Sequence, residues 1–239
     1  ECVGDYGYMP KLNTANPEVQ AYIYNGMVFW LNEYHIDGWR LDVADEIDPS
    51  LWTRIRYRIK SAYPDCFLLG ETWGDGFSLL DEKSVDSIMN YVFRDSVRDF
   101  LARGSIDAKM FNHRICQMRS HYPEEIRQAL FQPLDSHDTE RFLWNCSGDI
   151  RRLKLAALFQ MCFPGAPSIY YGDEIGLNGD NDPDCRRCME WNPAKQNADV
   201  LSFYKKIIRI RKKNPCLRTG NIVPLVCEKM TYGYLCQSD

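Results

Sequence analysis

The chain has 239 residues, of which 45% are hydrophobic and 26% charged, and this composition excludes disordered and collagen-like chains. Its 29 Lys and Arg against 33 Asp and Glu leave a formal net charge of −4, so nothing in the charge balance invites nucleic acid or an anionic membrane as a partner. No apolar run approaches the roughly 18 residues of a membrane span.

The first residues, starting at Glu1, lack both a basic and an apolar leader region. Such a beginning is expected of a processed chain or of a piece of a longer one. Asn16-Pro17-Glu18 reads as a helix start, with a capping Asn, Pro at the first helical position and an acid in the first turn. A strand is expected around Gly38 to Val43. Asp48-Pro49 opens a second helix with Leu51, Trp52, Ile55, Ile59 and Ala62 on one face, ended by Pro64. Cys66 to Gly70 reads as a strand buried on both faces. Further strands are expected at Ser87–Tyr91, Leu130–Leu134 and Pro167–Tyr171. Helices are expected at Val92–Ala102, Leu153–Phe163 and Val200–Arg211. Ile222–Val226 and Thr231–Leu235 alternate like an antiparallel pair.

Strands alternating with helices of this length imply a parallel α/β sheet. No glycine-rich phosphate loop is present, so a nucleotide-binding doubly wound sheet has little support. A (β/α) barrel puts its active site at the C-terminal ends of its strands, and Asp42, Glu71 and Asp138 each stand where an expected strand runs out.

The ten cysteines are scattered, and Cys66 and Cys162 lie in apolar stretches, where the residue acts as a small core hydrophobe. A reducing, cytoplasmic compartment fits that usage. Cys185 and Cys188 form one C-x-x-C without a second ligand pair, so neither a metal nor a redox centre is expected there.

Arg40 and Asp42 are two apart on a strand and share a face. An Arg beside a carboxylate favours its anion, the form a nucleophile needs. Glu71 follows an apolar strand and precedes Trp73, a setting that raises a carboxyl pKa and suits a general acid. Two carboxyls in opposing environments are the requirement of glycoside hydrolysis. His137 beside Asp138 adds a third acid and a donor for sugar hydroxyls, and Trp39, Trp73, Tyr91, Tyr170 and Tyr171 offer rings for sugar faces. Each acid taken singly could equally be a helix cap or an ion-pair partner.

The stretches Gly38-Trp39-Arg40-Leu41-Asp42-Val43-Ala44, Gly70-Glu71-Thr72-Trp73 and Asp135-Ser136-His137-Asp138-Thr139-Glu140-Arg141 resemble, in order and spacing, motifs of the α-amylase family (family 13 glycoside hydrolases). Met9-Pro10-Lys11-Leu12-Asn13 and Asp45-Glu46 resemble its neopullulanase, cyclomaltodextrinase and maltogenic amylase branch. Tyr170-Tyr171-Gly172-Asp173-Glu174 is similar to its eighth strand and loop, and Asp182, Pro183, Arg186 and Trp191 to the loop that follows.

The resemblance implies Asp42 as nucleophile, Glu71 as acid and base, and Asp138 as stabiliser of the transition state. Arg40 would orient Asp42, and His137, Trp73 and Glu46 would contact substrate. It implies retaining hydrolysis of α-1,4 glucosidic bonds, with α-1,6 bonds as a further target. Substrates would be α-glucan oligosaccharides of the maltodextrin, cyclodextrin or pullulan type.

The family's third-strand motif is absent, and only about five of eight barrel strands are found. The fold class expected is therefore α/β, a partial (β/α)8 TIM barrel of about strands 4 to 8 over residues 1–219. The first strands of a C-terminal antiparallel domain would occupy 220–239. No cofactor and no metal are expected, because the family's common calcium site draws on the missing region. Asp45 stands where Asn is usual, and Gly74 where His often follows the Trp. Open barrel edges would favour self-association and leave the isolated chain weakly active or inactive. The contrasting reading is a non-catalytic amylase-like binding or scaffold domain, against which stand the three acids.

Overall fold

Asn16 caps the first helix, α1 (Pro17–Tyr34), by accepting from the Glu18 amide at 2.8 Å. Asp48 caps α2 (Pro49–Ala62) in the same way through Ser50. Between them runs β1 (Gly38–Leu41), and after α2 comes β2 (Phe67–Gly70). The two strands pair in parallel, Gly38 opposite Phe67 and Leu41 opposite Gly70. Gly38 is required by that approach, since a Cβ there would lie 2.1 Å from the Phe67 carbonyl oxygen. A short helix, α3 (Phe77–Asp81), leads to β3 (Ser87–Ile88), which pairs in parallel with β2.

These elements belong to the first of two compact units, Glu1–Met89 and Asn90–Asp239. The computed structural model describes residues 2–81 and 83–237. In the first unit α2 buries Leu51, Trp52, Ile55 and Ile59 of the face read from the sequence, while Ala62, in its last turn, is exposed.

The second unit starts with α4 (Tyr91–Val97), which Asn90 caps by accepting from the Phe93 amide. The strand expected over Ser87–Tyr91 is cut short by this cap. Then follow α5 (Ala108–Ser120), α6 (Glu124–Ala129), β4 (Phe131–Pro133), α7 (Phe142–Asn145), α8 (Ile150–Cys162) and β5 (Ala166–Ser168). β4 and β5 pair in parallel. Helix α5 has a narrow apolar stripe (Ala108, Phe111, Ile115, Met118) among polar neighbours, and the sequence reading passes over it. Phe93, Phe111, Phe159 and Phe163 form the aromatic core, with ring centroids 5.1–5.8 Å apart between neighbours.

Helix α9 (Ala198–Lys213) buries Val200, Tyr204 and Ile207, and also Arg211. That guanidinium donates to the carbonyls of Met161, Phe163 and Leu217 at 2.9, 2.8 and 2.6 Å. One residue of the basic last turn thus ties chain ends together inside the unit. After α10 (Cys216–Thr219) comes the hairpin β6 (Asn221–Glu228) and β7 (Thr231–Gln237), antiparallel as its alternation implies. Tyr232 packs edge-on to Phe111 at 5.0 Å. Residues 238 and 239 of the expected 220–239 segment lie outside the described residues. Among the described residues no helix is long and apolar enough to cross a membrane.

Candidate active site

β1 and β2 end side by side, so the residues after them meet. Arg40 lies on β1 and points both ways: one guanidinium nitrogen bonds Asp42, the other stands 2.8 Å from Glu71 Oε1. The second Glu71 oxygen accepts from the Val43 amide at 2.9 Å. Glu71 is buried, with its side chain 3% exposed, whereas that of Asp42 is 70% exposed. Burial pushes the Glu71 carboxyl up from its ordinary value, and the Asp42 charge adds to this. The Val43 amide and Arg40 oppose it. The site therefore holds one open and one buried carboxyl group around a single cation.

The chain between these groups is strained. Val43 has φ 44° and ψ 47°, a left-handed conformation that β-branched residues rarely adopt. β1 is expected to continue to Val43, but the left-handed residue ends it. The turn is held by Ala44 N–H on the Glu71 carbonyl at 2.9 Å and by Trp52 Nε1 on the Ala44 carbonyl at 3.0 Å.

Glu46 faces protein groups. Its carboxylate accepts from the Gly4 amide at 2.9 Å and pairs with Lys11 at 2.9 Å. The Gly4 amide and Lys11 hold it below the usual carboxylate range. The Met9–Asn13 motif and the Asp45-Glu46 pair, singled out separately in the sequence, are thus two sides of one contact. Trp73 is half exposed.

In the second unit Asp138 follows β4. Its Oδ2 lies 3.0 Å from His137 Nε2, and its Oδ1 3.1 Å from Arg186. Arg186 Nε also donates to the His137 carbonyl at 2.9 Å and pairs with Asp182 at 2.8 Å. Cys185 is buried with its sulfur 3.3 Å from that same carbonyl, and Cys188 is exposed. Their environments differ accordingly.

Below this loop lies a group that sequence reasoning missed. Arg141 is fully buried and donates to the Cys185 carbonyl at 2.9 Å and to the Tyr171 carbonyl. It stacks 4.0 Å from the Tyr170 ring centroid and stands 3.3 Å from Asp173. Asp135 Oδ2 accepts from the Phe142 amide at 2.6 Å. The Asp135 and Asp173 carboxyls also share a side-chain hydrogen bond, and burial pushes both acids up, Asp173 well above the usual range. Two buried acids and one proton bind the segment after β4 to the segment after β5. Tyr91, expected near substrate, is instead in the core with its hydroxyl 2.9 Å from Ser136 Oγ.

Comparison with known proteins places this geometry in context. The alpha amylase catalytic-domain family model matches residues 4–220. A neopullulanase 2 from Thermoactinomyces vulgaris is 49% identical over 214 residues, 90% of this chain and 36% of that protein. A cyclomaltodextrinase from Geobacillus thermopakistaniensis (strain MAS1) is 44% identical over 220 residues, 92% of this chain and 37% of that protein. Among solved structures, a cyclomaltodextrinase superposes with a TM-score of 0.96 at 41% identity, covering 100% of this chain and 41% of that one. A cyclic alpha-maltosyl-(1→6)-maltose hydrolase from Arthrobacter globiformis reaches 0.91 at 33% identity, over 96% of this chain and 52% of that one. The chain thus spans less than two-fifths of the length of these two curated relatives.

Proposed function

Because the chain belongs to the α-amylase catalytic-domain family, we propose that it carries the nucleophile and the acid/base of a retaining α-glucan hydrolase. The observation that carries the reading is Arg40 bridging an open Asp42 and a buried Glu71. Its relatives are named cyclomaltodextrinase and neopullulanase, and α-1,4 bonds of maltodextrin, cyclodextrin or pullulan type are the proposed targets, with α-1,6 bonds as a further target.

In the first step Glu71, kept protonated by burial, gives its proton to the glycosidic oxygen while Asp42 attacks the anomeric carbon. The bond to the leaving sugar breaks and a β-glycosyl ester forms on Asp42. The Glu71 carboxylate so produced is stabilised by Arg40 and the Val43 amide. It then takes a proton from water, which displaces Asp42 and restores the α-configuration. The family roles of Asp138 and His137 are to hold sugar hydroxyls in the transition state. Trp73 offers a half-exposed ring to a sugar face. The bonds of Glu46 to Gly4 and Lys11 favour a supporting role for it over direct substrate contact.

The proposed fold is the partial barrel with the start of a β domain, and the proposed turnover of the chain alone is slow. Self-association is part of the reading: Tyr22, Phe29, Trp30 and Tyr34 on α1 are all exposed, Tyr22 at 76%. The test is release of p-nitrophenol from p-nitrophenyl α-maltoside by the chain and by Asp42→Asn, with the product anomer read by NMR. An α-product lost in the variant supports the proposal. A β-product, or equal release from both proteins, contradicts it. Light scattering over a dilution series that shows only monomer contradicts the self-association.

A further inference from the structure

The segments after β1 and β2 are joined by a bond that the reaction scheme does not use. Thr72 Oγ1 donates to Asp45 Oδ2 at 2.6 Å and accepts from the Gly74 amide at 3.2 Å. Thr72 is 1% exposed. Asp45 is exposed, and the cap of α2 is Asp48, so helix capping does not explain it. Asp45 is three residues from Asp42, and Thr72 is next to Glu71.

We propose that Asp45 and Thr72 are positioning residues, a lock that fixes the segment carrying Asp42 against the segment carrying Glu71. The inference rests on the glycosidase reading of those two carboxyls. Beyond the strand ends, links between the segments include Val43 N–H to Glu71 Oε2, Ala44 N–H to the Glu71 carbonyl, and Thr72 to Asp45. The first exists only while Val43 keeps its left-handed conformation, which its side chain disfavours. The Ala44 and Trp52 bonds hold the turn at Ala44, and the Asp45 bond adds a side-chain restraint one residue further on. Without the lock the Val43 amide turns away, the Glu71 anion loses a donor, and Asp42 shifts. A hydroxyl that merely satisfied itself would leave Glu71 unaffected when removed.

The groups facing Glu71 are Arg40, Asp42 and the Val43 amide. The test is a carboxyl-carbon NMR titration of Glu71 in the wild-type chain, Asp45→Ala, Thr72→Val and Thr72→Ser, with circular dichroism to verify folding. Asp45 is exposed, so its variant reports even where the buried Thr72→Val fails to fold. The lock predicts a Glu71 midpoint raised by at least about 0.5 pH unit in Asp45→Ala and Thr72→Val. It predicts recovery in Thr72→Ser. In p-nitrophenyl α-maltoside turnover it predicts a fall of at least about tenfold in kcat, with KM within about twofold. Unchanged midpoints in the folded variants overturn it. No turnover by wild type with shifted midpoints supports the lock and counts against the glycosidase reading. Wild-type turnover with unmoved midpoints and rates overturns the lock and leaves that reading intact.

Discussion

Arg40 Nη2 stands 2.8 Å from Glu71 Oε1 while its other amino group bonds Asp42, so one cation serves two carboxyls of very different exposure. Adjacent parallel strands produce this directly. Arg40 lies opposite Leu69, and both acids follow within two residues of it or its partner. The difference in exposure then separates their chemistry.

Removing the shared cation acts on Glu71 in one direction. Arg40→Met deletes the favourable charge and leaves the burial that raises the carboxyl. Its titration midpoint therefore moves further up. The alkaline limb of glycoside cleavage, set by loss of the Glu71 proton in the proposed mechanism, moves to higher pH with it. A pH–rate profile of the variant checks this, and a downward shift of the alkaline limb contradicts it.

Val43 offers a test of backbone strain. Gly in a strand or helix is normally less stable than Ala. At a φ of 44° the order reverses, since glycine adopts that conformation freely. Val43→Gly is predicted to unfold at a higher denaturant midpoint than Val43→Ala, by about 1 kcal/mol.

The Asp135–Asp173 pair predicts a pH signature in stability. Both acids are raised in the folded chain. Such groups contribute stability in full below their unfolded values and lose it as pH rises through the folded ones. Arg141, Arg94, Glu174, Tyr204 and Cys146 are the charged and titratable groups around them. Asp173→Asn supplies a permanent donor to Asp135. The Tm of the variant minus that of wild type should therefore grow from pH 5 to pH 9. A difference that shrinks over that range contradicts the shared proton.

Arg141 is the hub of the same cluster. Arg141→Met leaves Asp173 without its cation and three segments without their common donor. A loss of about 3–5 kcal/mol in chemical unfolding is predicted. A loss under about 1 kcal/mol would mean the cluster repacks.

Glu46 is the contrasting acid, held low by the Gly4 amide and Lys11. Its contribution is present above the unfolded value and is lost as pH falls through the lowered one. Hydrogen exchange at the Gly4 amide should quicken in Glu46→Ala at neutral pH. In wild type it should become less protected, relative to its intrinsic exchange rate, only once pH falls below the ordinary glutamate range.

Much of the site is legible in the sequence because strand ends and apolar runs have local signatures. Arg40 and Asp42 share a face by simple alternation, and Glu71 ends a run of buried residues. Helices α1 and α2 announce themselves through Asn16-Pro17 and Asp48-Pro49. What local pattern does not carry is pairing at a distance. Thr72 meets Asp45 across 27 residues, and Arg141 meets Asp173 across 32. The bonds of Glu46 to Gly4 and Lys11 span 42 and 35 residues and have no local signature. Arg211 belongs to a basic turn by sequence and to a core by structure. Helix α5 is missed because its four buried apolar residues are diluted by His113, Arg114, Gln117 and Arg119.

The central claim is that Asp42 forms a covalent ester, and trapping it needs only one turnover per molecule. The chain would be incubated with 5-fluoro-α-glucosyl fluoride, an activated donor whose ring fluorine slows hydrolysis of the ester. Peptide mass spectrometry would then locate the adduct. The account predicts one 5-fluoroglucosyl adduct on the peptide containing Asp42, absent in Asp42→Asn. An adduct on another carboxyl, or none in a chain that still cleaves p-nitrophenyl α-maltoside, would contradict it.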